Sequence, residues 1–144
     1  MKTVSTELSP GRKAQKTAKW ARTMTKWLIT FAGGAKTRWK LVEFGGATGC
    51  ESRGIVDILA IRKDHKRHPK GLKHGDCFEI VLIQTKGGSA PRPTDDDIGR
   101  LKRVAKMYRA KAVVLAEWQR GKALNIHRLV GRKWRSCVPA EIFG

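Results

Sequence analysis

Two apolar runs decide how this chain is read: Ile55-Val56-Asp57-Ile58-Leu59-Ala60-Ile61-Arg62, and Cys77-Phe78-Glu79-Ile80-Val81-Leu82-Ile83-Gln84-Thr85-Lys86. Both are rich in Ile and Val and almost continuously apolar, the pattern of central strands covered on both faces. The segment between them, Lys63 to Asp76, is charged and turn-forming, and is expected to be a long basic hairpin loop. Antiparallel pairing about the centre of that loop, near Lys70 and Gly71, sets residues whose numbers add to about 141 against each other. Asp57 then faces Gln84. Lys86 shares the face of Gln84, and Thr85 points the other way. A carboxylate amid Ile55 to Leu59 has no packing use, and left unpaired there it costs on the order of several kcal/mol. A cation is therefore expected beside Asp57.

Working outward, Ala14 to Ala32 carries Ala18, Trp20, Ala21, Met24, Trp27, Leu28 and Phe31 at three- and four-residue steps, which predicts an amphipathic helix with a basic flank, ended by Gly33 and Gly34. Trp20 and Trp27 are expected in its core stripe, and Trp118 in that of a later strand. Residues 1 to 13 lack periodicity and predict a flexible basic arm, so the single folded domain is expected over 14 to 144. Trp39 to Phe44 predicts a short strand, followed by the glycine-rich loop Gly45 to Gly49. Beyond Pro91 and Pro93, Thr94 offers an N-cap, and Asp95, Asp96 and Asp97 fill a first helical turn where the helix dipole favours them. Ile98, Leu101, Val104, Ala105 and Tyr108 mark the inner stripe of this second helix. Ala112 to Trp118 and Ala123 to Val130 predict two further strands joined by a turn at Gln119 to Lys122. The order α, β, β, β, α, β, β implies an α/β fold with one mixed central sheet flanked by helices.

The 144 residues hold 31 Lys and Arg against 12 Asp and Glu, a net charge of +19, with 40% hydrophobic residues. Such a chain can bury a core, and its positive field points to a polyanionic partner, nucleic acid first. No window is apolar enough to span a membrane and no secretory leader is evident, so a soluble, cytoplasmic protein is expected. The three cysteines, 50, 77 and 137, are far apart and show no metal or disulfide spacing. His65, His68 and His74 lie among lysines that repel cations, so no zinc site is expected there. His127 is expected to be a satisfied, partly buried side chain, and Glu79 a solvated or paired surface acid. Trp39 and Trp134 are expected to pack rather than to stack on bases.

Gly54-Ile55-Val56-Asp57 on one strand and Ile83-Gln84-Thr85-Lys86 on the next, followed by a helix and a further strand, resemble the PD-(D/E)XK nuclease superfamily of restriction endonucleases and Holliday junction resolvases. The resemblance runs from Glu51 to Val130, and Gln84 in the acidic position is similar to the variant of the Mrr-like branch. It implies a restriction endonuclease-like fold. Asp57 would be the principal ligand of Mg²⁺ or Mn²⁺, Gln84 would add a neutral oxygen, and Lys86 would orient or activate the attacking water. A hard cation wants oxygen ligands, polarises a phosphodiester and acidifies bound water, while a lysine stabilises charge developing at phosphorus. Since Gln84 brings no charge, a further acid is expected, Glu51 first and Glu43 in reserve. Two departures from the family pattern stand out: Ala14 to Ala32 contains no acid, and Val56 occupies the place where proline often precedes the aspartate.

The resulting expectation is a metal-dependent endonuclease acting on DNA, branched or junction DNA in particular, working as a homodimer, with Lys63, Lys66, Arg67, Lys70, Lys73 and Arg53 on the phosphates. The alternatives are a non-catalytic nucleic-acid-binding protein on the same fold and a ribonuclease.

Overall fold

The two apolar runs pair antiparallel in the computed structural model, which describes residues 10–33, 38–45, 54–64, 66, 71–73 and 75–144. Strand β2 (Ile58–Asp64) sets Ile58 opposite Ile83 and Asp64 opposite Cys77 on strand β3 (Cys77–Gly87). Strand β1 (Lys40–Glu43) lies antiparallel outside β2, with Glu43 opposite Ile58. Helix α2 (Asp95–Tyr108) carries the chain over the sheet so that β4 (Ala112–Trp118) pairs parallel with β3. Strands β5 (Asn125–Val130) and β6 (Lys133–Ser136) follow antiparallel, and α3 (Pro139–Phe143) closes the described chain. The six strands lie in the sheet in the order in which they occur in the chain. The architecture is α/β, a mixed six-stranded sheet flanked by helices.

Strand alternation divides the core into two layers. Ile58, Ala60, Val81, Ile83, Val114 and Ile126 pack with Ile29 of helix α1 (Pro10–Ala32) and with Ile142 and Phe143 of α3. On the opposite face, Leu82 and Val113 pack with Ile55 and with Leu101 of α2. Helix α2 starts where its sequence says it should: Thr94 Oγ1 accepts from the Asp97 amide at 3.2 Å and Asp97 Oδ2 accepts from the Thr94 amide at 3.1 Å.

Helix α1 differs from expectation in two ways. It begins at Pro10, so the last four residues of the expected arm are helical; proline in a first turn removes no hydrogen bond the helix needs. Its buried line is Ala21, Thr25 and Ile29, whereas Trp20 and Trp27, expected in the core, are 47% and 60% exposed, with Phe31 at 81%. Apolar residues cover more than half of this helix's circumference, and the sheet takes the face with the smaller side chains. That choice permits close approach: a Cβ at Gly87 would stand 2.8 Å from the Thr17 carbonyl oxygen. Trp118 is half-buried rather than in the core. The sequence pattern also missed β6 and α3, both short. β6 follows a tight turn at Gly131, where φ is +63° and glycine is the favoured residue. α3 is held in place by other elements: Phe143 O accepts from Trp39 Nε1 at 3.0 Å and Ile142 O from Lys111 Nζ at 3.0 Å. Trp39 is buried, as its packing role requires, with Arg62 stacked 4.2 Å over its ring.

Candidate active site where β2 meets the end of β3

The β2–β3 ladder breaks its rhythm at Asp57. In an unbroken strand the N–H and C=O of one residue point to the same neighbour, but here they diverge. Asp57 N–H donates to Ile83 O on β3 at 2.9 Å, while Asp57 O accepts from Phe44 N–H beyond β1 at 2.9 Å. Ile58 is already opposite Ile83, so two consecutive residues face one, which is a β-bulge. The bulge re-aims the carboxylate. Instead of standing against Gln84, Asp57 Oδ2 accepts from the Thr85 amide at 2.8 Å and from Thr85 Oγ1 at 3.3 Å. Both bonds fall on Oδ2, and Oδ1 has no hydrogen bond among the described residues.

Burial pushes the Asp57 carboxyl above the usual carboxylate range. The Thr85 amide and hydroxyl oppose this, as do the positive charges of Lys86 and, more weakly, Arg22, without overcoming it. Positive charge thus reaches Asp57 from two elements, β3 and α1, but the cation expected beside it forms no ion pair with it among the described residues; Thr85 is its partner instead. Arg22 also donates to Glu43 Oε1 at 2.8 Å and Lys26 to Glu43 Oε2 at 2.6 Å. Burial works to raise the Glu43 carboxyl as well, but these two bonds and charges outweigh it and hold the group below its ordinary range. Glu43, the reserve acid, thus has both oxygens engaged by α1, the helix whose sequence carries cations in place of an acid.

Alternation along β3 gives Gln84 and Lys86 the face of Leu82, under α2, and Thr85 the face of α1. Gln84 is 7% exposed and its Oε1 is fully buried with no hydrogen-bond partner among the described residues. Such an orphaned acceptor costs about 1–3 kcal/mol and needs an explanation. Lys86 is half-buried, opposite Glu117 of β4 in the register, and lines a cleft of about 170 Å³ with Gln119, Lys122 and Asn125. Glu117 accepts from Arg92 Nη2 at 2.7 Å, which holds its carboxyl low, and lies 2.8 Å from His127 Nε2. His127 is the satisfied, partly buried side chain expected of it.

Asp57, Thr85, Arg22 and Glu43 therefore come together around the start of β2, with Lys86 acting on Asp57 from the other face of β3. The described loop cations Lys63, Lys66 and Lys73 do not join them. The tip of the hairpin begins at Asp64, seven residues along β2, on the order of 23 Å from Asp57. Lys63 and Lys73 are exposed there, and Lys66 lies 3.5 Å from Glu79. Glu79, expected to be paired or solvated, is paired but buried, 2.6 Å from Arg62 Nε. Glu51, Arg53, Arg67 and Lys70 lie outside the described residues. Among the described residues no three His, Cys, Asp or Glu side chains group as metal ligands. Sequence reasoning overlooked Thr85, Arg22 and Glu117. A signal existed only for Glu117, an acid in the apolar run Ala112 to Trp118, the same anomaly that singled out Asp57.

Comparison with protein-family models, curated proteins and solved structures finds no significant match to this chain. Among the described residues no helix is long and apolar enough to cross a membrane.

Proposed function

We propose that this chain is a divalent-metal-dependent endonuclease that hydrolyses DNA phosphodiester bonds, on a restriction endonuclease-like core, with branched or junction DNA as its substrate and two copies acting together. The observation that carries the proposal is the environment of Asp57: a partly buried carboxylate at the end of the β2–β3 ladder, anchored to Thr85 through one oxygen. The order α, β, β, β, α, β, with antiparallel, antiparallel and parallel pairing, supports it. So does the net charge of +19.

Asp57 Oδ1 and the orphaned Gln84 Oε1 are oxygens, the ligand type Mg²⁺ and Mn²⁺ select, but with Asp57 tied to Thr85 and Gln84 under α2 they do not converge on one cation, so Asp57 is the residue that would hold it. When bound, such a metal supplies polarisation of the phosphodiester and acidification of water. Thr85 holds Asp57 in one orientation by two bonds to Oδ2. Lys86 adds positive charge from the other face of β3, where it would counter negative charge developing on phosphate oxygens. Arg22 and Lys26 give the α1 side of the site a positive lining for the backbone.

A second interpretation, a nucleic-acid-binding protein without catalysis, is favoured by the bulge: it ties Asp57 to Thr85, across β3 from the Gln84 side chain. Incubation with branched, duplex and single-stranded DNA, and with RNA, in Mg²⁺ or Mn²⁺ decides between them. The wild type is expected to cleave branched DNA, Asp57→Ala to cleave nothing, and Lys86→Ala to be slower by about 100-fold. No cleavage of any substrate, with Asp57→Ala binding DNA as the wild type does, leaves the binding protein. Cleavage of RNA alone makes it a ribonuclease.

A further inference from the structure

We infer that the outer face of α1 is a stacking platform for unpaired nucleotides. The inference rests on the interpretation of this chain as a protein that acts on nucleic acid, but not on catalysis. Trp20, Trp27 and Phe31 are separated by seven and four residues, so they stand in one line along the helix, and all three point away from the sheet at 47%, 60% and 81% exposure. Lys13 and Lys16 continue the same line toward the helix start, and Lys19 flanks it. All three lysines are exposed, and none has an ion pair among the described residues. From Lys13 to Phe31 the stripe is about 27 Å long, with its rings about 10 and 6 Å apart along the axis.

Three large rings left in water are a cost that a folded chain ordinarily avoids by turning them inward, and α1 had that option. It buries Ala21, Thr25 and Ile29 instead. The choice of occupant follows from charge. Residues 10 to 32 contain no acid, so a second copy packed face to face would bring two basic helices together with no opposite charge to pair their lysines. A lipid surface would take a broad apolar sector, but Leu28 and Ile29, the strongest aliphatic residues of the helix, pack on the sheet. A single strand supplies both kinds of contact at once, bases for the rings and phosphates for the lysines, and every base has a π-face. A duplex offers the phosphates alone. Arg22 and Lys26, on the inner flank of the same helix, border Asp57 through Glu43, so a strand on this face lies about one helix diameter, some 10 Å, from the candidate active site.

The test uses the full chain with Asp57→Ala, which stops cleavage, and compares it with the same protein carrying Trp27→Ala and Phe31→Ala. Binding is measured by fluorescence anisotropy with a labelled thymidine strand of about 20 nucleotides and with a duplex of equal length. Loss of two rings is expected to weaken strand binding by about tenfold or more and duplex binding by less than about twofold. Trp27→Tyr with Phe31→Tyr is expected to retain strand binding, and this separates lost stacking from a damaged fold. Unchanged strand affinity overturns the inference, as does an equal loss on the duplex. A loss confined to self-association in sedimentation assigns the face to a second copy, and one confined to binding of phosphatidylserine vesicles assigns it to a lipid surface; either overturns it. If the wild type cleaves nothing while the strand-specific loss holds, the nuclease proposal falls and the platform stands. Cleavage with unchanged strand affinity does the reverse.

Discussion

Thr85 donates its amide and its hydroxyl to one and the same oxygen of Asp57, at 2.8 and 3.3 Å. A side chain thereby takes the place of a main-chain acceptor at the end of the β2–β3 ladder. An amide oxygen does the same work as a carboxylate oxygen in this position, so the fold needs the shape of Asp57 and the proposed chemistry needs its charge.

Asp57→Asn separates the two. The folded Asp57 carboxyl titrates above its ordinary value of 3.8 because burial disfavours the charged form. The folded state therefore binds more protons in that interval, and the group's contribution is fully present below pH 3.8 and is lost as pH rises through the folded value. At pH 7 the ionised carboxylate is a burden on the metal-free fold. Asp57→Asn is expected to match or exceed the wild type in melting temperature at pH 7 while losing cleavage entirely. A clear fall in melting temperature would show that the negative charge itself is structural.

Gln84→Glu introduces a buried carboxylate where an orphaned amide oxygen now sits. Without metal it is expected to destabilise the chain by about 1–3 kcal/mol in urea denaturation. Added Mn²⁺ should restore more stability to this variant than to the wild type, since a cation pairs the new charge. An equal response to Mn²⁺ in both proteins would place Gln84 outside any metal site.

The Arg62–Glu79 pair, 2.6 Å apart and with both side chains largely buried, predicts acid sensitivity. Burial works to raise the Glu79 carboxyl, but the Arg62 bond and charge, with Lys111, hold it below 4.5. Its stabilisation is present above pH 4.5 and is lost as pH falls through the lowered folded value. Glu79→Gln is expected to cost about 3 kcal/mol at pH 7, because Arg62 stays buried without its partner, and to flatten the acid limb of a stability–pH curve.

Gly87→Ala is expected to cost about 1–3 kcal/mol, since its Cβ would meet a main-chain oxygen, that of Thr17, which cannot rotate away. Near-ultraviolet circular dichroism and denaturation both report it. Gly54→Ala, where a Cβ meets nothing within 4 Å, is the control and is expected to be neutral.

The strand pairing was legible because its signals are strong: two apolar runs about a turn-rich centre leave one register that buries both, and the observed pairs add to the expected 141 from Ile58–Ile83 to Asp64–Cys77. The capped start of α2 was legible for a similar reason, a local motif with a local cause. The bulge at Asp57 was not, since no glycine or proline marks it and it arises from tertiary contacts on both sides of the residue. Nor was the rotation of α1: periodicity reports that a helix has an apolar face, but with aromatic and small residues on different sides it does not say which face the sheet accepts. For the candidate site, Asp57 and Lys86 stood out as charges on apolar strands. Thr85 and Arg22 did not, because a threonine in a strand and an arginine on a basic helix are unexceptional until their neighbours are known.

The coincidence of sheet order with chain order bears on how the molecule assembles. No strand has to slip between two that are already joined, so the sheet can grow by accretion at its edges. β1 to β3 form a consecutive antiparallel unit, and β4 to β6 form another. Only the β3–β4 seam requires a crossover, and closing it is the nonlocal event expected to govern the folding rate. Lys86 and Glu117 face each other across that seam, so the cleft they line exists only after the two halves have met.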